Sequence, residues 1–284
     1  MRRLLLSVLL AVPVLLCGLT RAPLAPATVP ELQLTFLGTG AAWPVPRLGC
    51  CCGTCDAARN GSPRTRRMRS SLKIGRDAWL LADVGPDAYR QLEGLPVPRP
   101  RAVLLTHTHH DHCAGVSDLH PLVKGVPIPL LTEPRIFTEL CTIAPWAPQT
   151  FAPRDANQPV TIGPWTVRDF PLEHGSRTVG FRVEAQGHAI AYVTDVDRVP
   201  DVALPHLQRL DLMVLDGTNL GRAGAEHIGV PAIRALLAAT RPRGVLFTHV
   251  GHDAPPHEQL GARVRAAFPG ADVAYDGLTV EVPR

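Results

Sequence analysis

The sequence predicts an α/β fold in which two β layers pack between helices. Strand-like blocks alternate with helix-like segments along most of the chain. Proline (29) and glycine (24) cut the chain into many short elements. Hydrophobic residues make up 45% of 284 residues, enough for a substantial core. No linker divides residues 28–284, so one domain is expected there.

The elements follow in order. Leu32 to Leu37 alternates apolar and polar positions and reads as a first strand, ending in Gly38-Thr39-Gly40. That glycine pair permits a tight turn, but no nucleotide-binding glycine pattern follows it. A loop carrying cysteines and arginines runs to Arg69. Ser71–Ile74 and Trp79–Ala82 read as a hairpin turning at Gly75-Arg76-Asp77, and Asp87–Glu93 as a helix. Ala102–Leu105 is a short buried strand, Val116–Val123 a helix, Ile128–Leu131 a strand and Arg135–Leu140 a helix. The proline-rich segment Pro145–Pro159 reads as an irregular excursion, a candidate lid. Strands are expected at 160–162, 166–170, 181–185, 189–194, 212–215 and 245–247, with helices at Val230–Ala239 and Glu258–Ala267. Val273–Tyr275 and Thr279–Val282 close the chain as strands.

The first 27 residues are set apart. Arg2 and Arg3 precede an apolar run from Leu4 to Leu19, then Arg21 and Ala25-Pro26-Ala27. This is the order of charged, hydrophobic and small-residue regions in a secretory signal. A signal peptide over residues 1–27 and a periplasmic or secreted location are therefore expected, with an uncleaved membrane anchor as the alternative. The run is short for a spanning helix and contains Pro13.

Net charge is +4 and the isoelectric point about 8.8, a mildly basic balance. Arg64, Arg66, Arg67 and Arg69 form the one clustered run; a solvated face is the preferred reading over a phosphate contact. No nucleic-acid-binding signature is present.

The densest chemistry lies in Thr106-His107-Thr108-His109-His110-Asp111-His112-Cys113, directly after the Ala102–Leu105 strand. Imidazoles and carboxylates at this density suit zinc, manganese or iron. Four more polar residues follow apolar strand runs: His174, Asp195, Asp216 and His249. Any one alone is more often a satisfied capping residue, but their shared position at strand ends puts them on one edge of a sandwich. Cys50, Cys51, Cys52 and Cys55 crowd into six residues, too tight for mutual disulfides and more like a metal knuckle at 50–55. Cys113 reads as a packed thiol.

His107-x-His109-x-Asp111-His112, followed by His174, Asp195 and His249, resembles the metallo-β-lactamase superfamily across the whole mature chain. The resemblance implies an αβ/βα sandwich of two mixed β-sheets flanked by helices, with two divalent metal ions, zinc or manganese. It implies that His107, His109 and His174 hold one ion, that Asp111, His112 and His249 hold the other, and that Asp195 bridges them. His110 falls at a variable position and is not assigned. Asp83 matches the family's acidic residue and would orient a ligand histidine.

Gly49-Cys50-x-Cys52-x-x-Cys55 resembles the phosphoribosyl cyclic phosphate phosphodiesterases. That resemblance implies a structural zinc on Cys50, Cys52, Cys55 and His252, with Cys51 surplus. The same opening resembles the pyrroloquinoline quinone biosynthesis B proteins, whose histidine motif is degraded where this one is complete. His227, in the loop after Asp216, matches a histidine of phosphodiesterases related to the tRNA 3′-processing nuclease. It would donate a proton to the leaving oxygen, and its bland alternative is a helix-start residue.

The expected function is a dinuclear metal hydrolase that attacks a small or cyclic phosphodiester with hydroxide held between the ions; Asp111 and His227 are the expected catalytic residues. The alternatives are an accessory or carrier protein of quinone-cofactor synthesis and a thioester or lactam hydrolase. The expected partner is the small phosphodiester itself, with a homodimer as one expected assembly and membrane contact only through the N-terminal segment.

Overall fold

The computed structural model describes residues 32–95, 99–221 and 226–282, so the expected signal peptide at 1–27 lies outside the described residues. Among them, fourteen strands form two seven-stranded mixed sheets. The first has the spatial order β14-β1-β2-β3-β4-β5-β6. Its strands are β1 (Gln33–Gly38), β2 (Ser71–Ile74), β3 (Leu80–Ala82), β4 (Ala102–Leu104), β5 (Ile128–Leu131), β6 (Phe151–Arg154) and, from the chain's end, β14 (Thr279–Glu281). The second has the order β13-β12-β11-β10-β9-β8-β7. It contains β7 (Val160–Ile162), β8 (Trp165–Leu172), β9 (Thr178–Ala185), β10 (His188–Val193), β11 (Leu212–Asp216), β12 (Val245–Thr248) and β13 (Ala271–Val273).

Side-chain alternation builds two cores from these sheets. Ile190, Tyr192 and Val214 face the first sheet, meeting Phe36, Leu72, Leu80, Val103 and Leu130. Their sequence neighbours Ala191, Met213 and Leu215 face the other way, onto Ile233, Leu236, Leu260 and Val264. Those last four sit three or four residues apart on two helices at Val230–Thr240 and His257–Ala267, which give one buried stripe each. Each fully buried aliphatic or aromatic side chain contributes about 1.5–3 kcal/mol.

The register also creates the site. β3, β4 and β5 run parallel, and so do β10, β11 and β12. Parallel neighbours end on the same sheet edge. The segments after β3, β4, β10, β11 and β12 therefore emerge together, where ligands of open α/β sheets also bind.

Four differences from the sequence reading concern the sheets, their connections and the arginine run. The Pro145–Pro159 stretch is no lid: a short helix at Ala147–Thr150 leads into β6, which pairs with β5 as the sheet edge. Pro153 is tolerated there because an edge strand has one side without a partner needing its N–H. The segment from Val116 is a 3-10 turn to Leu122 instead of a longer helix; Pro121 lies inside it and offers no N–H. The strand expected at Val273–Tyr275 lies two residues earlier, at Ala271–Val273.

The arginine run is the fourth. Arg67 is buried, not solvated: its guanidinium donates to Thr39 Oγ1 at 2.6 Å and the Ala274 carbonyl at 2.7 Å, and meets His257 Nδ1 at 3.2 Å. Burial brings its pKa down to about 10, against the opposing charge of Asp276. Arg69 pairs with Asp87 at 3.2 Å. Arg67→Lys is expected to lower unfolding stability by about 2 kcal/mol, because a point charge cannot satisfy the partners of a planar fork. Urea unfolding that shows a lower midpoint at unchanged m checks it.

Candidate metal centre

The cluster is positioned by close backbone packing. After β4 the chain runs extended through His109, then turns into a single helical turn at His110–Cys113. The loop after β3 lies directly against that turn: Val84 N–H donates to the His112 carbonyl at 2.7 Å. A Cβ at Gly85 would stand 2.0 Å from the Asp111 carbonyl oxygen, so only glycine admits this approach. Three site residues, Asp83, Asp195 and His249, have positive φ (58°, 49° and 57°) as the chain leaves β3, β10 and β12. Such conformations cost non-glycine residues on the order of 1 kcal/mol each and concentrate at functional sites.

Four histidines are held by the same device. His112 Nδ1 lies 2.7 Å from Asp83 Oδ2 and His174 Nδ1 lies 3.0 Å from Asp197 Oδ1. Thr218 Oγ1 donates to the His249 carbonyl at 2.8 Å and so accepts from His249 Nδ1 at 2.9 Å. Thr106 Oγ1 donates to Asp83 Oδ1 at 2.9 Å and accepts from His107 Nδ1 at 2.9 Å. Each Nδ1 therefore carries the proton, and each Nε2 is left with a lone pair. Asp83 anchors the arrangement: it also accepts from the Thr106 N–H at 2.9 Å and from the Tyr192 hydroxyl at 3.2 Å.

Those lone pairs converge. Ligand atoms of His107, His109, His174 and Asp195 all lie within 4.8 Å of one another, as do those of Asp111, His112, Asp195 and His249. His107 Nε2 is buried without a hydrogen-bond partner. His112 Nε2 and His249 Nε2 approach to 3.4 Å, and Asp111 Oδ2 lies 3.2 and 3.3 Å from them. Asp195 Oδ2 stands 2.7 and 3.2 Å from the same two nitrogens, also without hydrogen-bond geometry. Burial works against the charge on Asp195, yet its carboxyl lies well below the usual carboxylate range in this site. Burial keeps His107 neutral. Buried acceptors with no donor between them fit two divalent cations sharing Asp195.

Asp83→Asn is expected to weaken metal binding about 10–100-fold, since it removes the carboxylate that orients His112 while asparagine still tolerates a positive φ. Metal titration monitored by calorimetry checks it.

Beside the second set stands His227. Its Nδ1 lies 2.7 Å from Asp216 Oδ2, and its ring is 5.5 Å from that of His249 and 5.3 Å from that of His174. Burial disfavours its charge, yet the hydrogen bond and charge of Asp216 outweigh this and raise it to about 9. The Asp216 contact thus favours the charged form of His227, which can donate a proton.

The knuckle also assembles. Cys50, Cys52, Cys55 and His252 bring their ligand atoms within 4.8 Å of one another. His252 Nδ1 is 3.4 Å from Cys50 Sγ and 3.7 Å from Cys52 Sγ. Burial opposes ionisation of Cys52, but His252 overcomes it and brings the thiol to about 6. The described cysteines are unbridged, and Cys51 is exposed, outside the quartet. Cys113 is buried and donates to the Thr108 carbonyl, as a packed thiol does. Half of the expected knuckle loop is helical, since a helix at Gly53–Arg59 begins inside it.

A cleft of about 730 Å³ opens at the site, lined by His109, Asp111, His174, Asp195, His227 and His249. Trp43 and Arg47 line it as well, and sequence reading missed them. It also missed Thr106, Asp197, Thr218 and Tyr192. Only Asp197 carried a signal, two residues after Asp195; the other three are ordinary residues whose partners are set by the fold.

Residues 78–250 match the model of a β-lactamase superfamily domain. The chain belongs to the metallo-β-lactamase superfamily. Its fold is one that binds divalent metal ions, and the two donor sets above sit at the sheet edge where that fold presents them. Among superfamily relatives, coenzyme PQQ synthesis protein B of Methylorubrum extorquens is 28% identical, over 88% of this chain and 100% of its own length. That of Methylobacterium radiotolerans is 30% identical, with the same coverage. A diphosphatase from the PhnP family superposes with a TM-score of 0.78 at 25% identity, covering 88% of this chain and 97% of that one. Zinc-bound PqqB from Methylobacterium extorquens gives 0.73, also at 25% identity, covering 88% and 99%. The short form of human tRNase Z, 19% identical with a TM-score of 0.63 over 89% of this chain and 100% of that one, shares the fold.

Proposed function

We propose that this chain is a metal-dependent phosphodiesterase acting on a small or cyclic phosphodiester. Its first ion is held by His107, His109 and His174, its second by Asp111, His112 and His249, with Asp195 shared. Zinc or manganese suits these donors, and a third ion, a structural zinc, suits Cys50, Cys52, Cys55 and His252. Bound there, two divalent ions supply Lewis acidity and a water of lowered pKa.

The observation that carries the reading is the His227–Asp216 pair at 2.7 Å on the wall of the same cleft. Hydrolysis of an ester needs a proton at the departing oxygen. Asp216 occupies His227 Nδ1 and holds the ring charged, which leaves the proton on Nε2 to be given up. A thioester hydrolase has less need of it, because a thiolate leaves without a proton. The diphosphatase relative supports chemistry at phosphorus.

The second reading is an accessory or carrier role, favoured by the full-length likeness to the PQQ synthesis B proteins. The purified protein, loaded with Zn²⁺ or Mn²⁺, is tested on bis(p-nitrophenyl) phosphate, a thioester and a lactam. Turnover of the phosphodiester alone supports the proposal. One tightly held zinc with no turnover of any ester supports the accessory role.

A further inference from the structure

We infer that Arg47 and Trp43 form a second subsite of the cleft, built for a substrate that carries a flat ring and a further anionic group beyond the scissile phosphodiester, as a nucleoside diphosphate ester does. The inference rests on the phosphodiesterase reading above and names the substrate class of that site.

Arg47 is the one lysine or arginine among the described residues lining the cleft; Asp197, Glu226 and Asp253 line it too. An anionic substrate entering past those carboxylates has Arg47 as a cationic side-chain partner outside the metal sets, in addition to His227. Trp43 stands in the same wall with 58% of its surface exposed, an unusual display for the largest apolar side chain. The Arg47 guanidinium lies 5.6 Å from the centre of the Trp43 ring, so one element offers an aromatic surface and a fixed positive charge side by side.

The loop that carries them is anchored. Val45 and Arg67 exchange backbone hydrogen bonds at 2.9 and 2.8 Å. The Arg47 N–H donates to Cys55 Sγ at 3.3 Å, and its carbonyl accepts from the Cys50 N–H at 3.2 Å and from Arg59 Nη2 at 3.2 Å. The cysteine knuckle thus does more than tie down its own loop: it sets the position of Arg47 at the cleft. A subsite on so fixed a backbone binds with little ordering cost.

His252 sharpens the point. Its Nδ1 faces Cys50 and Cys52, while its Nε2 lies 3.3 Å from Arg47 Nη1. A neutral imidazole that ligates through Nδ1 carries its proton on Nε2. Zinc on Nδ1 would thus take an acceptor away from the Arg47 Nη1 N–H and leave that N–H to solvent or to an anion in the cleft.

The test is calorimetric titration of the metal-loaded full chain with ADP and with inorganic pyrophosphate, beside turnover of bis(p-nitrophenyl) phosphate. Arg47→Ala is expected to weaken binding of both ligands about tenfold, with Arg47→Lys recovering part of the loss. Trp43→Ala is expected to weaken ADP about tenfold through lost stacking, and pyrophosphate by much less. Equal affinity of Arg47→Ala and wild type for ADP, or equal losses of ADP and pyrophosphate in Trp43→Ala, overturns the subsite. Arg47-dependent ADP binding without phosphodiester turnover leaves the subsite standing and removes the activity; turnover without that dependence does the reverse.

Discussion

Replacing Asp195 with asparagine is expected to cut phosphodiester turnover on the order of 10³-fold and to lower the number of metal ions held at the active site. The reason is its shared position. Asp195 belongs to both ligand sets, with Oδ1 3.6 Å from His174 Nε2 and Oδ2 2.7 Å from His112 Nε2. Its backbone is left-handed, and asparagine is the substitute that tolerates this, so the chain should fold as before. What is lost is one negative charge in a buried site and the acceptor that both donor sets share. A loss of about 4 kcal/mol of transition-state stabilisation corresponds to a thousandfold rate effect. Metal analysis of the dialysed variant and its kcat on bis(p-nitrophenyl) phosphate check it. An unchanged rate would remove Asp195 from the site's chemistry.

Replacing His227 with alanine is expected to slow hydrolysis about 10²–10⁴-fold for esters with a poor leaving group, and far less for p-nitrophenyl esters. A nitrophenolate departs without help, whereas an alkoxide needs the proton that His227 carries. The expected signature is a steeper dependence of kcat on leaving-group pKa in the variant. The same loss across all leaving groups would assign His227 to substrate binding or structure instead of proton donation. Its Asp216 partner is buried and 2.7 Å away, which fixes the ring's orientation in the wild type.

How much of this was legible in the sequence depends on how local each signal is. His107, His109, Asp111 and His112 lie in one short stretch, so their chemistry can be read without a fold. His174, Asp195, Asp216 and His249 were visible as polar residues that end apolar strand runs. That they meet depends on the parallel pairing of β10, β11 and β12, which no single run of residues encodes. The knuckle was legible from cysteine spacing, and His252 only through the resemblance to a family with a late histidine ligand.

What was missed is non-local. Arg67 looks like one member of a solvated basic run, but Thr39 and Ala274, far from it in sequence, supply its buried acceptors. Thr106 and Thr218 are unremarkable threonines until they fix the tautomers of His107 and His249. β6 was taken for a lid because proline speaks against a strand, and only an edge position removes the objection.

The proposed phosphodiesterase needs two ions in the cleft beside a separate knuckle zinc. A metal titration of the chelator-stripped protein, followed by bis(p-nitrophenyl) phosphate turnover, tests it most directly. A first equivalent of zinc is expected to bind without activity, after which activity rises and levels off as about two further equivalents enter. Turnover that saturates with the first equivalent, or no turnover at any loading, would contradict it.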